Sequence, residues 1–372
     1  MSNRVIPKRY EAPIAISPGF TIREMLDDLN MTQSDLALRM GRPEQAISEI
    51  AQGKKAITAE TASELESVLG NSQQYWLNRE ANFQAAKDRI RQENTIARDT
   101  ERLSAFPYKE LVDRGFVHEA NRQSNAGKRE QVLSLRKFLR VADFDALDRY
   151  VNKYAIASRL ANTTPLSTEK LAVWLRLGEI QAENEDWQAS TFKKTLLEKS
   201  LSELRNLSME KDINQLMIKL RTIGEKAGVV FLFVREFKGF PTKGMTVWKN
   251  QQPFIMLTLH GKRWDMLWFT LFHEIGHILL HDRKIFIEGK GIQTVGPEEE
   301  KANEFARDTL IPLEQYMQFC SDGRFSVQSI IDFAEEQGVD PSIVVGRLMY
   351  EGRVRNDNPN LQKLFRRVSW IS

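Results

Sequence analysis

The sequence predicts a mainly α-helical protein with one small β-sheet, an α+β fold. Residues 1–90 contain short helical patterns separated by caps and glycines, and residues 91–210 repeat apolar positions at helical spacing. Residues 211–372 contain three apolar strand patterns before one long apolar helix. We therefore expect an N-terminal helix-turn-helix bundle, a helical middle region and a C-terminal domain built around the long helix.

The composition is that of an ordinary globular protein. The 372 residues are 41% hydrophobic and 28% charged, enough for two or three domains with their own cores. The formal net charge of +3 is too small to indicate, by itself, binding to nucleic acid or to an acidic membrane. One cysteine, Cys320, excludes an internal disulfide framework and suits a reducing compartment, so we expect a small core or surface residue there.

No segment has the pattern of a signal peptide or a membrane span. The N-terminus lacks a long apolar stretch, and the longest apolar run, residues 266–280, is interrupted by two histidines and a glutamate. We therefore expect a cytoplasmic protein without a membrane partner.

Residues 18–86 have the pattern of a series of short helices. Thr32 is placed to cap the second of them, and Gly41 can adopt the left-handed conformation of a tight turn. A third helix is predicted over residues 44–51, with Pro43 suited to its first turn. A helix, a glycine-containing turn and a short following helix form a helix-turn-helix.

In a helix-turn-helix, the helix after the turn enters the major groove of double-stranded DNA, and the helix before it lies against the phosphates. We expect Ile47 and Ile50 to face the core. Gln45 has an amide that can read adenine, and Arg42 can contact guanine or phosphate. The residues predicted to contact DNA are Gln33, Arg42, Glu44, Gln45 and Ser48, with Lys54 and Lys55 at the backbone.

The charges of this region leave a second interpretation open. Residues 1–100 carry 13 basic and 14 acidic side chains, so the region is not a basic patch. Glu44 and Glu49 would repel phosphate, and affinity would have to come from local lysines, the N-terminal arm or a dimer. A helical bundle that binds another protein is therefore the alternative to DNA binding.

A resemblance to a known family bears on this choice. The matching segments are Pro18-Gly19, TQSDLALRMG from Thr32, and ISEIAQGKKAITAETASELESVLGNSQQYWLN from Ile47. Over about residues 18–85 the chain resembles the helix-turn-helix of the HigA antitoxin and repressor family. The resemblance implies a domain that binds double-stranded operator DNA, and a homodimer.

The middle region, residues 91–210, contains no recognisable catalytic pattern. Residues 148–160 and 171–182 are its clearest amphipathic helical segments. Trp174 and Trp187 are expected to be core or interface anchors. We expect this region to join the two ends of the chain.

The C-terminal region, residues 211–372, begins with a predicted helix over residues 213–227 that Gly228 ends. A second, longer helix spans about residues 263–281 and is apolar nearly all round, so we expect it to be the core of its domain. Apolar, β-branched and aromatic segments between these helices predict three strands, at residues 229–234, 245–248 and 254–259. The last strand directly precedes the long helix and is expected to pair with an extended substrate.

The long helix carries the most informative motif of the chain, His273-Glu274-Ile275-Gly276-His277. Two histidines four residues apart lie on one helix face, so both imidazoles can reach one metal ion. Glu274 can take a proton from a water at that ion. Three of the five histidines of the chain lie within residues 273–281. A zinc site is the prediction, and a pair of hydrogen-bonded core histidines is the alternative.

A catalytic zinc needs a third protein ligand. His281 is eight residues from His273, roughly 12 Å along the helix axis, too far for both to bind one ion. His281 is therefore expected to support the ligands, and His260 is a weaker candidate ligand. The run Glu298-Glu299-Glu300 opens another helix, on which Glu299, Ala302, Asn303 and Ala306 share one face. Spacing alone does not choose among the three glutamates.

The C-terminal half also resembles a known family. The matching segments are WFTLFHEIGHILLH from Trp268, Glu299-x-x-Ala302-Asn303-x-Phe305-Ala306, Leu310-Ile311-Pro312 and Val344-Val345-Gly346-Arg347-Leu348. Over about residues 210–355 the chain resembles the ImmA/IrrE family of zinc-dependent endopeptidases. The resemblance implies a zincin-like domain that binds Zn²⁺ through His273, His277 and Glu299, with Glu274 as the base. We expect Asn303, like His281, to support the ligands.

Two functions follow from these patterns. The first is a DNA-binding transcriptional regulator whose zinc-dependent endopeptidase domain cleaves a partner regulator, or the chain itself, in response to a signal. The alternative is an antitoxin or repressor of a toxin–antitoxin or mobile-element module, with a structural or sensory zinc site. The first needs an oxyanion donor, and Tyr316 and Arg307 are candidates.

Overall fold

The computed structural model describes residues 13–155, 167–187, 190–240, 242–259, 263–281, 286–289, 296–368 and 370. The chain forms two compact units, Met1–Glu101 and Arg102–Ser372, and each is described by itself. Both units are dominated by helices, and the second contains one small sheet, which confirms the predicted fold class. The division into residues 1–90, 91–210 and 211–372 stays a prediction. None of the helices in the described residues is long and apolar enough to cross a membrane.

The first unit is a bundle of five helices in its described residues. They are α1 (Pro18–Asp28), α2 (Gln33–Met40), α3 (Glu44–Ala51), α4 (Ala59–Leu69) and α5 (Gln73–Glu101). Thr32 caps α2 by accepting a hydrogen bond from the backbone N–H of Asp35, whose carboxylate accepts one from Thr32 in return. Gly41 ends α2 with φ of 62°, as predicted. Pro43 is the N-cap of α3 and does not lie in its first turn.

In the first unit, helix α3 is held in place by packing against the other helices. Ile47 and Ile50 of α3 are buried with Leu36 of α2 and Trp76 of α5, as the sequence predicts for the two isoleucines. A Cβ on Gly19 would lie 2.3 Å from the carbonyl oxygen of Ala51, so α1 contacts the end of α3 where no larger residue fits. This packing leaves the opposite side of α3 exposed.

The second unit is built from twelve helices and four strands in its described residues. The first six helices are α6 (Tyr108–Asp113), α7 (Asn125–Leu139), α8 (Phe144–Ala155), α9 (Thr168–Asn184), α10 (Lys194–Asn206) and α11 (Ile213–Ala227). The others are α12 (Trp264–Leu280), α13 (Pro297–Leu310), α14 (Leu313–Ser321), α15 (Val327–Gln337), α16 (Pro341–Tyr350) and α17 (Pro359–Gln362). The strands are β1 (Val230–Phe233), β2 (Thr242–Lys249), β3 (Gln252–Leu257) and β4 (Phe286–Gly289).

The sheet has the order β1-β3-β2-β4, with β1 and β3 parallel and the other pairs antiparallel. Asn250 and Gln251 have positive φ and form the tight hairpin between β2 and β3. The sequence analysis missed β4, which has four residues and gives only a short apolar signal. The prediction that the strand at residues 254–259 pairs with an extended substrate is also wrong. Strand β3 has a partner strand on each side and offers no edge to a substrate. The free edges of the described sheet are those of β1 and β4.

Helix α12 lies at the centre of the second unit, as its apolar sequence predicts. Trp264, Trp268, Phe272 and Ile275 are buried in one large core. The helix packs against β2 and β3, and against α13 and α16. Thr246 of β2 and Glu299 of α13 both reach the part of α12 that carries His273 and Glu274, so this helix positions the candidate site.

Helix α9 differs from the prediction for the middle region. Its residues 171–178 are buried on every face, including Trp174, although the sequence indicated an amphipathic helix. Arg176 is the one charged residue in this stretch, and its guanidinium pairs with Glu179 and Glu183. The amphipathic pattern was misleading because a charged residue that is buried with ionic partners cannot be distinguished, in the sequence, from one that faces solvent. Residues 156–160, the end of the first predicted amphipathic segment, lie outside the described residues.

Gly276 sets the distance between α12 and α13. A Cβ at this position would lie 3.2 Å from the Cα of Ala302 and 3.1 Å from the ring of Phe305. We expect Gly276→Val to lower the free energy of unfolding of the second unit by ~1–3 kcal/mol, because the two helices would have to separate. Denaturant unfolding measures this, with Gly296→Ala as the control, since a Cβ on Gly296 meets nothing within 4 Å. Equal stability of both variants would contradict the close packing described.

Candidate functional site

Three predicted ligands converge between α12 and α13. Nε2 of His273 lies 2.9 Å from Nε2 of His277, one turn further along α12. Glu299, in the first turn of α13, brings its carboxylate oxygens to 3.2 Å from Nε2 of His273 and 3.6 Å from Nε2 of His277. The structure therefore places Glu299, and not its neighbours, beside both imidazoles. We call these three residues the His-His-Glu cluster.

The His-His-Glu cluster fits a tetrahedral zinc ion. Bonds of about 2.0–2.1 Å in tetrahedral geometry hold ligand atoms roughly 3.3 Å apart, and the observed separations of 2.9, 3.2 and 3.6 Å bracket that value. Two imidazole nitrogens and a carboxylate oxygen are donors that zinc prefers. Three protein ligands leave one position of a tetrahedron for water or substrate.

The protonation states of the His-His-Glu cluster suit metal binding. Burial lowers the pKa of His277 to about 4, so its imidazole is neutral near pH 7. Burial alone would raise the pKa of Glu299, but hydrogen bonds to His273 and His277 outweigh it and lower that pKa to about 2. A neutral imidazole and an ionised carboxylate are the forms in which these side chains bind a cation.

Asn303 and His281 hold the cluster in place. Oδ1 of Asn303 lies 2.9 Å from Nδ1 of His273, which favours the tautomer with the proton on Nδ1 and a lone pair on Nε2 toward the cluster. His281 directs Nε2 to the backbone carbonyl of Glu298 at 2.8 Å and ties the end of α12 to the start of α13. Both residues contact the elements that carry the ligands, where the sequence placed them. His260 lies outside the described residues.

Glu274 is completely buried beside His273, and β2 holds its carboxylate. The hydroxyl of Thr246 donates a hydrogen bond of 2.6 Å to Oε2 of Glu274. This bond fixes one carboxylate oxygen. The sequence analysis missed Thr246; its only signal was a single hydroxyl within the apolar strand at residues 245–248.

Of the two candidate oxyanion donors, Tyr316 is ruled out. It is 1% exposed and lies beneath the guanidinium of Arg347, 3.8 Å from the ring centroid. Its phenol is packed in the core of α14 and α16, and the cavity beside the metal ligands does not reach it. Arg307, in contrast, lines that cavity.

The cavity has a volume of about 750 Å³ and lies between α12, α13 and α16. Phe269 and Thr270 of α12 and Asn303 of α13 form its end near the His-His-Glu cluster. It continues past Arg307 toward Tyr350 and Asn356, which are exposed. This cavity could not be predicted from the sequence, because its lining residues extend from Lys243 to Gln362 along the chain.

The structure places the predicted DNA-contacting residues on and around α2 and α3. Gln33 begins α2, and Glu44 and Gln45 are exposed at the start of α3. Ser48 lies one turn later and is half-buried, and Lys54 and Lys55 are exposed just after α3. This arrangement is that of a helix-turn-helix.

Two of these residues have intramolecular partners. Arg42 is half-buried, and its guanidinium pairs with Glu60 and Glu64 of α4, so DNA contact would require it to exchange these carboxylates. Gln45 donates a hydrogen bond from Nε2 to Glu49, 3.1 Å away on the same helix. Gln45 is exposed and can exchange this partner at little cost, whereas Arg42 is better placed to brace α4 against the turn.

Comparison with known proteins defines the two domains. Residues 22–76 match the family model for the helix-turn-helix, and residues 225–349 match the model for the IrrE N-terminal-like domain. The chain therefore contains a helix-turn-helix domain of a transcriptional regulator and an IrrE N-terminal-like domain. Both resemblances stated from the sequence are confirmed at this level.

Two individual proteins are similar to a short part of this chain. YddM of Escherichia coli K12, an uncharacterized HTH-type transcriptional regulator, is 41% identical over 61 residues. That match covers 16% of this chain and 65% of YddM, less than two thirds of the relative. A solved structure from Nostoc punctiforme, described as a candidate antidote protein of a plasmid maintenance system, is 32% identical. It covers 21% of this chain and 91% of its own, with a TM-score of 0.19.

Proposed function

We propose that this chain is a DNA-binding regulator whose second unit is a zinc-dependent endopeptidase that cleaves a partner regulator or the chain itself. One observation carries the enzymatic part: His273, His277 and Glu299 meet at distances that suit one zinc ion, with Glu274 buried directly beside them. The helix-turn-helix domain supports the regulatory part. We also propose that this cleavage occurs in response to a signal.

The side chains of the site divide the reaction between them. Zinc held by His273, His277 and Glu299 would supply a Lewis acid and would lower the pKa of a water to about 7. Glu274 takes a proton from the attacking water, whose oxygen bonds to the carbonyl carbon of the peptide. The same carboxylate then transfers that proton to the leaving nitrogen as the carbon–nitrogen bond breaks. Thr246 holds Glu274 in position, and Asn303 holds His273.

The ligand count distinguishes this proposal from a purely structural zinc site. Structural zinc sites close the tetrahedron with four protein ligands, whereas catalytic sites use three. In the residues that the structure describes, the cluster consists of three such side chains. This favours a site that is open to substrate over the antitoxin alternative with a structural zinc.

The proposed DNA interface is tested at Gln45. We expect Gln45→Ala to weaken binding to a double-stranded DNA, selected from a random pool by the wild-type chain, by roughly 5–150-fold. The reason is that a bidentate contact to a base is worth ~1–3 kcal/mol. Fluorescence anisotropy at fixed salt concentration measures the affinity.

Gln74→Ala is the matched control for this measurement. Gln74 is also exposed in the first unit and donates to Asn78 four residues later, as Gln45 does to Glu49. It lies on α5, outside the proposed interface, and its loss should leave DNA affinity unchanged. Equal affinities of both variants and the wild type would remove Gln45 from the interface.

A further inference from the structure

We propose that the cavity between α12, α13 and α16 is the substrate-recognition subsite of the peptidase, and that it selects an apolar peptide segment carrying one acidic side chain bound by Arg307. This inference rests on the proposed function and deepens it by naming a substrate class.

One end of the cavity lies next to the His-His-Glu cluster. Asn303 lines the cavity and also contacts His273 through its Oδ1. Thr270 and Phe269 line it from the turn of α12 that precedes His273, and the Phe269 ring lies 6.2 Å from the imidazole of His273. A peptide whose scissile bond lies at the cluster can therefore extend directly into the cavity.

The cavity walls are mainly apolar, so the cavity suits apolar side chains of a bound peptide. An extended peptide can bury apolar side chains against them, which favours binding by ~25 cal/mol per Å² of apolar surface removed from water. The apolar lining residues are Met266, Phe269, Leu310, Ile311, Ile343 and Met349.

The charges in the walls are mostly paired, with one exception. Arg263 donates to both oxygens of Asp265. Arg347 pairs with Glu351 and Asp308, and also donates to the carbonyl oxygens of Arg307 and Ile311.

Among the residues that the structure describes, no carboxylate pairs with the half-buried guanidinium of Arg307. Lys243 of β2 also lines the cavity. A carboxylate that enters the cavity therefore meets a net positive charge and a planar donor that suits bidentate hydrogen bonding.

The position of Arg307 predicts where the acidic side chain lies in the substrate. Arg307 follows Glu299 by eight residues on α13, roughly 12 Å along the helix axis. An extended peptide advances ~3.3–3.4 Å per residue, so the acidic residue falls about three to four positions from the scissile bond.

Binding of short peptides to the zinc-loaded Glu274→Gln protein tests the inference without a need for cleavage. The probes are fluorescein-labelled octapeptides of leucine and alanine with a single glutamate at each position in turn, and the same peptides with glutamine. We expect at least one glutamate peptide to bind about 10-fold more tightly than its glutamine counterpart. A hydrogen bond to a charged group contributes enough binding free energy for about this difference in affinity. Adding Arg307→Gln should abolish this preference, and Arg307→Lys should restore part of it.

Lys301→Gln is the matched control, since Lys301 is exposed on the same helix and does not line the cavity. It should keep the preference for glutamate. Equal binding of glutamate and glutamine peptides, no binding at all, or a preference that survives in Arg307→Gln would overturn the inference. A preference that depends on Arg307, together with no cleavage by the wild-type protein, would reject the peptidase and leave the acidic-peptide site standing.

Discussion

Replacing Glu274 by glutamine is expected to lower the rate of peptide cleavage by roughly 10²–10⁴-fold, the usual contribution of a general base. Glutamine has nearly the same volume and can still accept the hydrogen bond from Thr246, so the completely buried position should stay packed. It cannot take a proton from water. Cleavage of a substrate pool, followed by mass spectrometry, measures the loss, and metal analysis should show an unchanged zinc content.

The control for Glu274→Gln is Glu300→Gln, which makes the same chemical change at an exposed position of α13. Its rate should equal that of the wild type. If Glu274→Gln cleaved at the wild-type rate, Glu274 would not be the base. If the Glu274→Gln protein lost zinc as well as activity, the lower rate would result from loss of the metal and would not identify Glu274 as the base.

Replacing Glu299 by alanine is expected to lower zinc affinity by more than about 100-fold. Loss of a residue that only supports a ligand costs 10–100-fold, and Glu299 is itself a proposed ligand. Its carboxylate is the only negative charge in the cluster, so its removal leaves two neutral imidazoles to hold a dication. Elemental analysis after dialysis against a weak chelator measures the bound zinc.

Thermal unfolding gives an independent readout of the same change. Zinc at 1,000 times its dissociation constant should stabilise the wild-type second unit by about 4 kcal/mol, because it binds only the folded state. Glu299→Ala should show little of this stabilisation. Glu298→Ala, one residue earlier, should retain it, since this substitution keeps the backbone carbonyl that contacts His281. Full zinc content in Glu299→Ala would show that another residue is the third ligand.

Local signals in the sequence predicted individual elements well. Helices α2, α3 and α11 begin and end within about a residue of their predicted bounds, because caps and glycines act over a few residues. The spacing of His273 and His277 likewise reports a local geometry, since residues four apart on a helix always share a face. Strand β4 escaped prediction because four residues carry too little periodic signal.

Contacts between distant parts of the chain were harder to predict from the sequence. The three glutamates that open α13 looked alike by spacing, and only the resemblance to a family pointed to Glu299. The helix packing at Gly276 and Ala302 brings that one carboxylate to the two imidazoles. The expected pairing of β3 with substrate failed for the same reason, since strand order depends on contacts that no single strand encodes.

The sequence by itself determined that this chain has a helix-turn-helix, a buried helix with two imidazoles one turn apart on one face, and a glutamate beside them. These features follow from spacing, caps and polarity within short segments. Only the tertiary structure decided that Thr246 orients Glu274, that Tyr316 lies in the core, that Arg42 pairs with α4, and that Arg307 faces a cavity. Each of these contacts joins segments far apart in the chain, and their relative positions depend on how the whole core packs.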